Sequence, residues 1–169
     1  MDKIDIKILS LLQEDATLTV AEISKRINLS ATPCWRRVQK LEAEGVIRRR
    51  VTLLDAQKLN AGVTVFVSIK TNQHNAAWLS RFADVVKAIP EVVEFYRMSG
   101  DVDYLLRVVV PDIAGYDAVY KKLIKGTELA DVSSSFAMEQ IKFTTSLPLH
   151  FVKGTEAEPL AGEGELETI

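Results

Sequence analysis

Thr32, Arg36, Gln39 and Lys40 are spaced by three and four residues along a segment whose apolar members, Cys34, Val38 and Leu41, keep a similar spacing. A helix turns about 100° per residue. It therefore sends the apolar three to one side and the polar four to the other. These polar types suit reading of the DNA major groove. Arg bonds bidentately to guanine, Gln to adenine, and Thr touches phosphate or a thymine methyl. Arg37, at the edge of the polar face, suits a phosphate. Trp35 lies about a quarter turn from the apolar stripe and is expected to pack against the first helix. Cys34 points inward and reads as a buried, inert hydrophobe. A polar outward face is also what any solvated helix shows, so its surroundings must decide.

Other chemistry is sparse. Ser99-Gly100-Asp101-Val102-Asp103-Tyr104 puts two carboxylates and a glycine between two apolar runs. Turn preferences alone make this a plain hairpin. A polar loop of this kind can also hold an amino group, with the hydroxyls of Ser133, Ser134 and Ser135 lining the same cleft. His74 and His150 are the two histidines, and neither has a Cys or His at ligand spacing, so no metal is expected. There is no glycine-rich phosphate loop, and the serines have no evident base, so no cofactor and no catalysis are expected.

The surrounding elements favour DNA. Residues 2–14 carry Ile4, Ile8, Leu11 and Leu12 on one stripe, with Asp2 and Asp5 at the N-terminus of the helix they predict. Thr19 and Glu22 have capping-box spacing for a second helix, which Asn28 closes in a left-handed conformation. Ser30 caps the third, Pro33 sits harmlessly in its first turn, and Gly45 ends it. Two short strands, Val46-Ile47 and Val51 to Leu54, are expected to flank Arg48, Arg49 and Arg50 as a basic wing. The result is a winged helix-turn-helix over residues 1–60.

From Val63 the pattern changes to strand 63–71, helix 77–88, strand 92–98, strand 104–110, helix 113–124 and strand 132–138. This βαββαβ order predicts a ferredoxin-like domain over 61–152, making the chain α+β. Its two helices cover one sheet face, and a second subunit is expected on the other. Residues 153–169 lack apolar periodicity and read as a disordered acidic tail.

Charge follows the same division. The 169 residues carry a net charge of −2, yet 11 Lys/Arg against 8 Asp/Glu give residues 1–60 a charge of +3. Between Lys25 and Arg50, eight basic residues face only Glu42 and Glu44. A basic stretch in an otherwise acidic chain marks a local polyanion site. With 47% apolar residues, one cysteine, no apolar run of membrane-spanning length and no signal peptide, the chain reads as soluble and cytoplasmic.

Ala21 to Ser30, Arg36 to Ile47 and Gly100 to Leu106 together resemble the Lrp/AsnC (leucine-responsive, feast/famine) family of transcription factors over roughly residues 1–150. The resemblance implies double-stranded DNA as a partner, bound by residues 21–40, with Ser30 and Pro33 at the start of the reading helix. It implies an amino-acid effector lined by Met98 to Tyr104, with Ser133 to Ser135 nearby across a subunit interface. It also implies homodimers assembling into tetramers or octamers. Thr32 to Arg37 and Ser134 to Lys142 look most like the branch containing a cysteine-detoxification regulator, making cysteine the first expected effector. The acidic tail departs from the family pattern. Two rivals remain: a ligand-independent architectural DNA-binding protein, and a dimeric α+β barrel enzyme, whose base-bearing cavity the apolar strands do not supply.

Overall fold

The computed structural model describes residues 1–125 and 128–152, so the expected acidic tail lies outside the described residues. The chain divides into two compact units: Met1–Thr52 with the described residues from Phe143 onward, and Leu53–Lys142.

The first unit contains α1 (Lys3–Glu14), α2 (Val20–Arg26) and α3 (Ala31–Ala43). Each start has a local cause. The Asp2 carboxylate accepts the Ile4 and Asp5 amides, and the Asp5 carboxylate accepts the Asp2 amide. Thr19 and Glu22 make the same reciprocal arrangement at α2. Asn28 turns the chain out of α2 at φ +54°, and Gly45 ends α3 at φ +71°. Ser30 holds the extended conformation of a cap, but its side chain makes no capping bond. Ile8, Leu12, Leu18, Ile23, Cys34, Val38 and Leu41 form the core.

The two short wing strands do not form, and residues 46–55 run irregularly. The Ile47 amide is used to close α3 on the Leu41 carbonyl. With no partner strand to pair with, the expected wing is an irregular basic arm. Further on, Gln13 brackets Leu147, accepting its amide at 3.0 Å and donating to its carbonyl at 3.2 Å. A short 3-10 helix, Leu149–Phe151, follows.

The second unit runs β1 (Val63–Lys70), α4 (Ala76–Lys87), β2 (Val92–Arg97), β3 (Tyr104–Val110), α5 (Ile113–Ile124) and β4 (Asp131–Phe136). Its antiparallel sheet has the order β2-β3-β1-β4, the ferredoxin-like arrangement. Asn75 caps α4 through the Trp78 amide, and Asp112 caps α5 through the Gly115 amide at 2.7 Å. Strand alternation sends Val65, Val67, Ile69, Leu106 and Val108 to a core shared with Phe82, Val86, Val119 and Leu123. Phe66, Ser68, Leu105, Arg107 and Tyr96 face the other way, where Arg107 pairs with Glu94 at 2.6 Å. Neither helix covers this open face.

Candidate functional site

On α3 the inward stripe is buried, while Thr32, Arg36, Gln39 and Lys40 stand exposed on the opposite side. Two of these side chains have local restraints. Gln39 Nε2 donates to Glu42 Oε2 at 2.9 Å, and Lys40 lies 3.8 Å from Glu44. Arg50 Nη2 reaches the other oxygen of Glu42 at 3.1 Å, tying the basic arm to the helix. Arg48 and Arg49 are exposed, as is Ser30, and Pro33 is half-buried in the first turn.

Arg37, expected to suit a phosphate, has a structural partnership within the unit. Its Nη1 sits 2.7 Å from both Asp2 Oδ2 and Asp5 Oδ1, and the Asp5 side chain is only 8% exposed. The bond to Asp5, then that to Asp2, raises the guanidinium above its usual range. Arg37 therefore clamps α3 to the start of α1 through one of its three guanidinium nitrogens. Trp35, expected to pack against the first helix, is more open than a core residue. It is 52% exposed, so about half of the side chain stands in water. Cys34 is buried, and that burial pushes its thiol up, away from the reactive thiolate.

In the second unit, residues 98–103 join β2 to β3. The Met98 amide donates to the Asp103 carbonyl at 2.8 Å, and Gly100 takes φ +111°, which favours glycine. Ser99, Gly100 and Asp101 are exposed on this turn. Asp103 is committed to the fold: its amide donates to the Ile69 carbonyl, and its Oδ2 accepts the Thr71 amide at 2.8 Å. Oδ1 lies 3.9 Å from His74 Nδ1. Tyr104, expected to line the effector site, has its ring buried against Trp78, Phe82 and Phe95.

The three serines separate because strand side chains alternate. Ser134 points to the helices and bonds the Tyr116 hydroxyl, whose titration burial pushes up. Ser133 and Ser135 pair with Ser68 and Phe66 in the ladder and share the open face. Within one chain β1 stands between β4 and β3, so the loop and the serines do not form one cleft. The described residues contain no cluster of metal-ligating side chains.

Some partners went unseen in the sequence. Glu42, three residues after Gln39, has the spacing of a helical neighbour and was legible as its restraint. Thr71 and His74 beside Asp103, and the carboxylates beneath Arg37, meet only through the tertiary fold.

An exposed polar recognition-helix face, a basic arm and a separate ferredoxin-like unit define a helix-turn-helix DNA-binding regulator with a ligand-binding domain. Residues 1–48 match the winged helix-turn-helix DNA-binding model, and residues 64–147 match the Lrp/AsnC ligand binding domain. The chain belongs to the Lrp/AsnC family of transcriptional regulators. It is similar to an AsnC family transcriptional regulator from Agrobacterium tumefaciens, at 67% identity and a TM-score of 0.86, covering 89% of this chain and 99% of that one. The glutamate uptake regulatory protein of Zymomonas mobilis subsp. mobilis is 54% identical over 88% of this chain and 91% of its own length. A Neisseria meningitidis transcriptional regulator in complex with L-Met aligns with a TM-score of 0.83 at 37% identity, covering 88% and 97% of the two chains.

Proposed function

We propose that this regulator recognises a specific DNA sequence through Thr32, Arg36, Gln39 and Lys40. On this reading its C-terminal domain responds to an amino acid, and its targets belong to amino-acid metabolism. The observation that carries it is the outward face of α3: four groove-reading side chains project from a helix whose other side is fixed in a core. Arg48 and Arg49 add charge beside it, which supplies sequence-independent affinity. A small effector is supported by the L-Met bound to the Neisseria relative. Cysteine is the first candidate here, from the likeness of Thr32 to Arg37 and Ser134 to Lys142 to the cysteine-detoxification branch. No described helix is long and apolar enough to cross a membrane, and we read the protein as acting in the cytoplasm.

The protein acts as a homodimer or a higher assembly, with a second subunit on the open sheet face. The effector biases one assembled state and shifts the balance only by its differential affinity for the two. A thermal-shift screen against the twenty amino acids tests the reading. An effector at about 100 times its Kd adds about 2.7 kcal/mol to a folded state that alone binds it. Such a shift with cysteine supports the assignment, and one with another amino acid renames the effector. Absence of any shift moves the reading to a ligand-independent architectural protein.

A further inference from the structure

Trp35 is the fifth residue of α3, in the N-terminal half of the helix. Of its four neighbours at one-turn spacing, Ala31, Thr32 and Gln39 are exposed and Val38 is buried, so the ring stands at the border between the core and the polar face. The indole, 52% exposed, is the largest apolar group on that surface. A tryptophan side chain can bury about 150–250 Å², so on the order of 100 Å² of ring is left in water, with Arg36 and Lys40 nearby. The major groove offers one apolar recognition feature, the C5-methyl of thymine, and side chains read it by apolar contact. A helix docking with its N-terminal half against base edges carries position 35 into the groove together with Thr32 and Gln39.

We propose that Trp35 is a specificity-determining residue that reads thymine methyl groups in the major groove beside the base contacted by Gln39. This rests on the DNA-reading face assigned above. Gln39 bonds to an adenine edge and the indole covers a neighbouring methyl, so the pair selects an A·T-containing step. A second copy of the chain is the competing occupant of the ring, and the test separates the two.

The full-length protein would first select its site from a random duplex library. Each thymine of that site would then be replaced singly by deoxyuridine, which lacks only the methyl. Wild-type binding should weaken about fourfold at one or two positions, the effect of one buried methyl group. Trp35→Ala and Trp35→Gln should bind both duplexes equally. Both variants should remain folded by circular dichroism at the binding temperature, with a lowered melting temperature because half of the ring is buried; if Ala unfolds the unit, Gln still gives the comparison. A wild type indifferent to every deoxyuridine, or variants with the same sensitivity as wild type, overturns the inference while leaving the DNA reading intact. A variant that changes oligomeric mass with its methyl pattern unaltered assigns the ring to self-association and also overturns it. If no duplex is enriched at all, the DNA-reading face itself fails and Trp35 with it.

Discussion

Removing the Arg37 guanidinium strands two carboxylates at the start of α1, one of them buried. Breaking a fully buried pair costs about 3–5 kcal/mol. Arg37 is 30% exposed, so Arg37→Ala should cost nearer about 2 kcal/mol. Arg36, free on the outward face, should behave oppositely. Arg36→Ala should leave stability almost unchanged, weaken specific DNA binding by about 1–3 kcal/mol and relax preference at one base pair. Urea unfolding and a base-substitution binding series on both variants check the contrast; equal losses of stability would refute it. Adjacent arginines in the sequence gave no warning of this split. Periodicity put Arg37 at the edge of the polar face, but its partners lie 35 and 32 residues away and meet it only once α1 and α3 pack. The exposure of Trp35 was not legible for a related reason: a quarter turn from the stripe is where a helix residue either packs or protrudes, and only the neighbouring helix decides.

The helix starts were legible because their causes are local. Asp2 with Asp5, and Thr19 with Glu22, satisfy free amides within a few residues, and the spacing alone carries that information. The pH dependence follows from the same contacts. The Asp5 amide, and after it the Arg37 side chain, hold the Asp2 carboxyl below its ordinary range. The Thr19 hydroxyl does the same for Glu22. A carboxyl lowered by folding contributes stability above its unfolded value, about 4, and loses it as pH falls through the folded value. Asp2→Asn keeps a good cap but no charge. It should melt below wild type at pH 7, by at most about 1 kcal/mol of stability, and the gap should close below about pH 4. Circular-dichroism melts from pH 7 to 2 measure it, and a constant gap would sink the charge account. The wing strands were the element misread, because two β-branched residues satisfy a strand pattern without the partner that makes a strand. The β4 serines were located on the correct strand, but alternation separates Ser134 from its neighbours.

At the scale of the whole molecule, the covered sheet face and the open one carry different residues. Phe66 and Tyr96 are 39% and 51% exposed on the open side, around the Glu94–Arg107 pair. A monomeric protein has little use for this surface, whereas a self-associating one buries it. Phe66→Asp should therefore lower the sedimentation coefficient from that of a dimer or larger species toward the monomer, with secondary structure intact. A wild type that sediments as a monomer at tens of micromolar would refute the assembly. The βαββαβ order was legible from strand alternation and helix stops, and the family resemblance raised the Asp101/Asp103 loop above a plain hairpin. The commitment of Asp103 to the Thr71 amide was not legible, because strand order, rather than sequence separation, brings them together. The two tryptophans also divide between the units, Trp35 half in water on α3 and Trp78 buried on α4. An indole in water emits at longer wavelength than one in an apolar surround. The unlabelled chain thus carries two colours of intrinsic reporter: the red edge of its emission follows the recognition helix, and the blue edge follows the core of the other unit.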